Sequence, residues 1–167
     1  RLASGGLAEE IERLRAEPGD GDIAIGGATL AAEAAALTYA NNERTARGLV
    51  PLRLDPRVAE IAHGRAETMA DEDELSHDQA DGNNVFDILS ANDVTWYGAG
   101  EIIAWNNTSN FTSSAKGAVS QWMHSTGHRN ILLSKSYNYV AFGMAVSASG
   151  KRYWAGVLIK GPDLSGA

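Results

Sequence analysis

Gln121 to Leu133 reads QWMHSTGHRNILL, and the fold is decided by how this stretch is read. Upstream of and within it, Ala115, Ala118, Val119, Trp122 and Met123 fall at i, i+3, i+4, i+7 and i+8. That spacing predicts one apolar stripe of an α-helix. Ser113 or Ser114 is expected as its N-cap. Gly127 is expected to end it, because glycine tolerates the left-handed backbone of a helix terminus. A helix anchored by a tryptophan then hands the chain to a turn that holds His128 at the edge of a core.

Outward from this stretch, the pattern changes from helical to extended. Tyr139 to Val146 alternates, with Val140, Phe142, Met144 and Val146 on one side and Tyr139, Ala141, Gly143 and Ala145 on the other. Ser147 to Lys151 is a hairpin loop, and Arg152 to Ile159 is the returning strand. Small residues at 141, 143, 145, 155 and 156 predict helices packed closely on this hairpin. Toward the N-terminus the signals are mostly helical. Thr29 is expected to cap a helix running to about Arg47, closed by Gly48. Asp55-Pro56 opens a second helix, with Val58, Ile61, Ala62, Ala66 and Met69 on its stripe, Arg65 at the margin and His63 in solvent. That helix should fray at the acidic run Asp71 to Glu74, where carboxylates oppose the helix dipole. Asn84 can cap a short helix, and Gly98 to Ala104 is a glycine-rich entry into an apolar segment. Trp105 to Ser114 reads as a loop. Helices first and an antiparallel hairpin last predict an α+β layered domain.

Residues 1–28 read as a leader or linker, with residues 29–167 as the domain. Leu7, Ile11 and Leu14 could line one face of a short helix before the break at Pro18 to Asp22. Asp20 and Asp22 are two carboxylates of the kind that bind calcium, but the rest of a calcium loop is missing.

Composition narrows the function classes. With 167 residues the chain is long enough for one domain with a core. The formal net charge is −7 with no basic run, which argues against nucleic-acid binding through clustered Lys and Arg. No stretch approaches the ~18 apolar residues of a membrane span. There is no cysteine, so disulfides and thiol catalysis are excluded.

The ordered set Asn42-Glu43-Arg44, Gly48 to Leu52 with Asp55, Ser76-His77, Gly100-Glu101-Ile102, Trp122 with Ser125 to Leu132, and Phe142 to Val146 before Tyr153-Trp154 resembles the CAP superfamily. This superfamily comprises cysteine-rich secretory proteins, antigen 5 and pathogenesis-related proteins (the SCP-like domain), and the likeness is greatest to its bacterial secreted branch. The resemblance covers about residues 30 to 160. It implies an α-β-α sandwich with a central antiparallel sheet flanked by helices. It also implies an extracellular protein whose signal peptide is not part of this sequence, and a cleft of two histidines and two glutamates that can hold a divalent metal. Carried over, the histidines are His77 and His128 and the first glutamate is Glu101. Ser125 stands where the pattern has its second glutamate, and Ile102 where asparagine is common. Relatives bind sterols, lipids or other proteins, so the expected partner is a small apolar or lipid ligand or an extracellular protein. Hydrolase activity has been proposed for some relatives.

Taken without the family, His77, Glu101 and His128 are a legitimate ligand set for zinc with an open water position. The alternative is a hydrogen-bonded polar cluster in which Glu101 holds the imidazoles and no ion is needed. A zinc pair at His124 and His128 is rejected, since position 125 is serine and Gly127 interrupts the helix. A Ser-His-acid triad, with Ser76 or Ser125 as nucleophile and Glu101 as orienter, lacks the strand-Ser-helix elbow. The reading favoured by the missing fourth acid is a non-catalytic binding module with a weak zinc site. The runner-up is a metal-dependent or serine-type hydrolase using the same cleft.

Overall fold

The structure is a computed structural model that describes residues 21–163, with side chains from Gly27 onward. The short helix expected around Leu7 to Leu14 and the side chains of Asp20 and Asp22 lie outside the described residues. In chain order the elements are α1 (Gly21–Thr45), β1 (Arg53–Leu54), α2 (Pro56–Glu72), α3 (Val85–Ala91), β2 (Gly98–Asn106), α4 (Phe111–Met123), α5 (Thr126–Leu132), β3 (Tyr139–Val146) and β4 (Arg152–Lys160).

The hairpin expected from the alternation forms the middle of the sheet, whose strand order is β1-β3-β4-β2. β3 and β4 pair antiparallel, with Phe142 opposite Gly156. β2 pairs antiparallel with β4 along its whole length. β1 adds two residues parallel to β3, so the small sheet is mixed.

Alternation along β3 then separates two cores, as strand geometry requires. Val140, Phe142 and Met144 join Ile102, Trp154 and Leu158 beneath α1, α4 and α5, where Ala32, Ala36, Ala40, Ala118, Trp122 and Leu132 are buried. Tyr139, Ala141, Val157 and Ile159 face the other way, against Val58, Ile61 and Ala62 of α2 and Val85 and Leu89 of α3. The result is the expected α-β-α sandwich. α2 lies so close on β3 that a Cβ at Gly143 would run into the backbone of Ala62 and His63.

The sequence boundaries needed several corrections. α1 already includes Gly21 and passes through Gly26-Gly27 without a break, so Thr29 is not its cap. Burial of its alanine stripe outweighs the poor helix propensity of two glycines. The cap of α4 is Asn110, whose side chain accepts from the Ser113 amide. Ser114 is instead buried, accepting from Trp154 Nε1 at 2.9 Å. α4 is capped at its C-terminus by His124, and Gly127 lies in the first turn of α5 rather than at the end of α4. β2 continues through Trp105 and Asn106, so the loop is shorter than expected. α2 follows the sequence signals, with Asp55 as N-cap, proline at the first turn and a left-handed Asp73 at its end.

Candidate functional site

Glu101 is the pivot. It sits in β2 with its side chain 2% exposed, where an unpartnered carboxylate would carry a large desolvation cost. Arg65 supplies the partner from α2. Its Nε donates to Glu101 Oε2 at 2.7 Å and its Nη2 to Oε1 at 3.2 Å. The guanidinium is itself 1% exposed and also donates to the Ser76 carbonyl at 2.5 Å and to Gln79 Oε1 at 3.3 Å. Arg65 is therefore a buried member of the inward stripe, not a marginal one. It fastens the loop carrying His77 to the sheet. His77 Nδ1 lies 2.8 Å from Glu101 Oε1. A carboxylate only accepts, so Nδ1 carries the hydrogen and the imidazole is oriented with Nε2 outward. The His77 side chain is 55% exposed.

The second half of the site comes from the QWMHSTGHRNILL stretch. Ser125 occupies the N-cap position of α5 but makes no capping bond with its side chain. Its Oγ lies 2.9 Å from His128 Nδ1 instead. This too leaves Nε2 as the outward nitrogen. Burial lowers the pKa of His128, and the nearby charge of His77 lowers it further. The His77–Glu101 pair thus lies near enough to the Ser125–His128 pair for its imidazole to influence His128.

A cavity of about 480 Å³ opens beside His128 and Ser125. Leu75, Ile103, Trp105 and Trp122 give it an apolar wall. Leu75 and Trp105 are also exposed to solvent. Trp122 is fully buried, donates Nε1–H to the Ile103 carbonyl at 3.0 Å and stacks on Phe142. It anchors the stretch as its place on the stripe implied. His124 hydrogen-bonds back to the Ser120 carbonyl and takes no part in the cleft.

The donor set bears on a metal. Both Glu101 oxygens are occupied by Arg65 and His77. Among the described residues no group of three His, Asp or Glu side chains is placed to hold one ion. Zinc sites draw three or four ligands from the protein. His77 and His128 each keep Nε2 free of these contacts, with Glu101 and Ser125 respectively as orienting partners.

Two features went unread in the sequence. Arg65 could have been found, because a carboxylate between apolar strand residues demands a cation and Arg65 lies between Ile61 and Met69 on a buried stripe. His63 was expected to be solvated, yet its Nδ1 lies 2.9 Å from Glu33 of α1 and its Nε2 3.3 Å from Glu67. Glu33 also accepts the Met144 amide, so the trio ties α1, α2 and β3 together.

Comparison with known proteins agrees with this architecture. A crystal structure of an extracellular protein containing an SCP domain from Bacillus anthracis superposes with a TM-score of 0.71 at 24% identity, covering 91% of this chain and 49% of that one. An outer surface protein of Borrelia burgdorferi gives 0.66 at 14% identity, covering 75% of this chain and 90% of that one. Two Bacillus subtilis relatives are uncharacterized. YkwD is 28% identical over 109 residues, covering 65% of this chain and 40% of YkwD. The membrane protein YlbC is 32% identical over 108 residues, covering 65% of this chain and 30% of YlbC. The chain spans less than half the length of these two relatives. The family model described as the cysteine-rich secretory protein family matches residues 37–158. Although it contains no cysteine, the chain belongs to the cysteine-rich secretory protein (CAP) family.

Proposed function

We propose that this CAP domain is a secreted binding module whose ligand lies along the apolar wall of Leu75, Ile103 and Trp105, with its polar end at His77 and His128. The observation that carries this reading is the commitment of Glu101. Its carboxylate neutralises Arg65 and orients His77, and no described carboxylate stands behind His128. A serine nucleophile needs a histidine base held by a third group. The Ser125–His128 contact at 2.9 Å favours the hydrolase alternative as far as a pair goes, but among the described residues the pair has no third member. The cavity has the size and mixed lining of a site for a small apolar or lipid ligand.

Mass spectrometry of organic extracts from the purified protein tests the binding reading. We expect a co-purifying apolar ligand that is lost in Trp105→Ala and His128→Ala. Hydrolysis of ester or peptide substrates that disappears in Ser125→Ala would replace this reading with the hydrolase one. Zinc retention is expected to be weak, since two imidazoles must share the ion with water. Ser125→Glu should tighten it by adding a charged donor, and His128→Ala should abolish the gain. Equal zinc affinities of wild type and Ser125→Glu by calorimetry would refute the assignment of Ser125 to this cleft.

A further inference from the structure

A second cavity, of about 320 Å³, lies on another part of the surface where the α1–β1 turn meets the segment before β3 and the end of β4. Four cations line it, Arg44, Arg53, Lys135 and Lys160, and its lining contains no carboxylate. In a chain of net charge −7, that is a strong local reversal. Arg44 is 2% exposed. Its Nε donates to the Val50 carbonyl at 2.9 Å, and its Nη1 to the carbonyls of Leu132 and Ser134 at 2.8 and 2.9 Å. The guanidinium thus ties both walls of the cavity together in advance. Its Nη2 makes no hydrogen bond to a described residue, and its charge faces no carboxylate. Burial already lowers its pKa, the sign of a cation held without a counter-charge. Arg53 is matched by Asp163 at 2.9 Å. Lys135 and Lys160 are exposed and form no ion pair with a described residue.

We propose that this cavity is a binding site for a phosphate group, as a phosphomonoester or phosphodiester, distinct from the histidine cleft. Three cations remain after Arg53 is matched, which suits an anion with several oxygens and one or two charges. The Arg44 Nη2 group would donate from a low-dielectric wall, where charge-assisted bonds are strongest. The two lysines would close over the outer oxygens as mobile point charges. Val50, 78% exposed at the rim, and Tyr137 would meet an apolar portion attached to the phosphate. The same chemistry is presented by a soluble phosphoester and by an anionic phospholipid headgroup.

Two-dimensional amide NMR at fixed ionic strength, with inorganic phosphate, glycerol 3-phosphate, and phosphatidylglycerol or phosphatidylcholine vesicles as probes, tests the proposal. We expect saturable shifts confined to the segments around residues 48–53, 134–138 and 160. The double variant Lys135→Gln/Lys160→Gln should bind about tenfold or more weakly, having lost two charge-assisted contacts. Both lysines are exposed, so the variant keeps the fold, and an unchanged amide spectrum elsewhere verifies that. His128→Ala should bind phosphate like wild type, which separates this site from the cleft. Saturation by the soluble phosphates assigns a phosphoester ligand. Response to phosphatidylglycerol alone assigns a headgroup. No saturable response to any phosphate, equal binding by the double variant, or equal response to phosphatidylcholine would overturn the proposal.

Discussion

Replacing Arg65 by methionine removes one member of a buried ion pair and leaves the other. In wild type both side chains are almost fully buried, 1% and 2% exposed, and their closest contact is 2.7 Å. Breaking such a pair from one side costs about 3–5 kcal/mol, because a desolvated charge is left behind. The two sides are not equivalent. In Glu101→Leu, the stranded guanidinium still donates to the Ser76 carbonyl and Gln79, so the loss should sit near 3 kcal/mol. In Arg65→Met the carboxylate keeps one partner, the exposed imidazole of His77, and the loss should approach 5 kcal/mol near pH 8. The double variant Arg65→Met/Glu101→Leu buries no charge, and should lose far less than the sum of the single losses. Urea denaturation of all four proteins at pH 8, with a common m-value, gives the coupling energy. Single losses below about 1 kcal/mol, or additive losses in the double variant, would refute the account of Glu101 as a carboxylate held by Arg65.

Trp122→Ala should cost about 3–5 kcal/mol and Trp122→Phe about 1–3 kcal/mol, the latter mainly by stranding the Ile103 carbonyl; a thermal midpoint of Trp122→Ala close to wild type would place the ring outside the core. Gly143→Ala should destabilise by about 1–3 kcal/mol or more, since the new methyl meets the Ala62 and His63 backbone, which cannot rotate away; unchanged cooperative melting would show that α2 is less closely packed. The hydrogen bond that His63 donates to Glu33, and secondarily the charges of Glu33 and Glu67, raise the pKa of His63 above its usual 6.5. Its stabilising contribution is therefore complete below about pH 6.5 and lost as pH rises through the folded value, so the stability gap between wild type and His63→Gln should narrow between pH 6 and pH 9, and a gap that widens would reverse the assignment. His128 has the opposite sign, with its pKa lowered by burial and by His77, so His128→Gln should relieve a loss of stability that wild type suffers as pH falls below about 6.5.

The parts of the fold that could be read in the sequence are those where one periodicity had one cause. Val140, Phe142 and Met144 alternate with Tyr139 and Ala141 because each strand face meets a different helix layer, and the hairpin followed directly. Trp122 was legible because its stripe is continuous. Helix ends were harder. Asn110 and Ser113 are both good caps, and only the position of β2 decides between them. Thr29 reads as a helix start because two glycines precede it, yet the alanine face beyond them is buried tightly enough to carry the helix through. In the site, the types of residue were visible and their pairing was not. Ser125 Oγ turns to the His128 side chain three residues on and not to a backbone amide of the helix it caps. Arg44 was quoted only as part of a motif. Its burial against carbonyls of residues 50, 132 and 134 depends on contacts remote along the chain.

The order of the strands also has a consequence in time. β1 and β2 do not touch; each is joined to the sheet only through β3 and β4, which come last along the chain. β1 cannot find its neighbour until β3 is made, and β2 and β3 cannot find their shared neighbour until β4 is made. During synthesis at roughly 5–20 residues per second, β1 waits roughly 5–18 s for β3 to be completed, and β4 follows it. Over that interval the alanine face of α1 and the apolar stripe of α2 have no sheet to cover them. The nascent chain is thus held open by its own topology, and closure is a late, nearly concerted event triggered by its final strand.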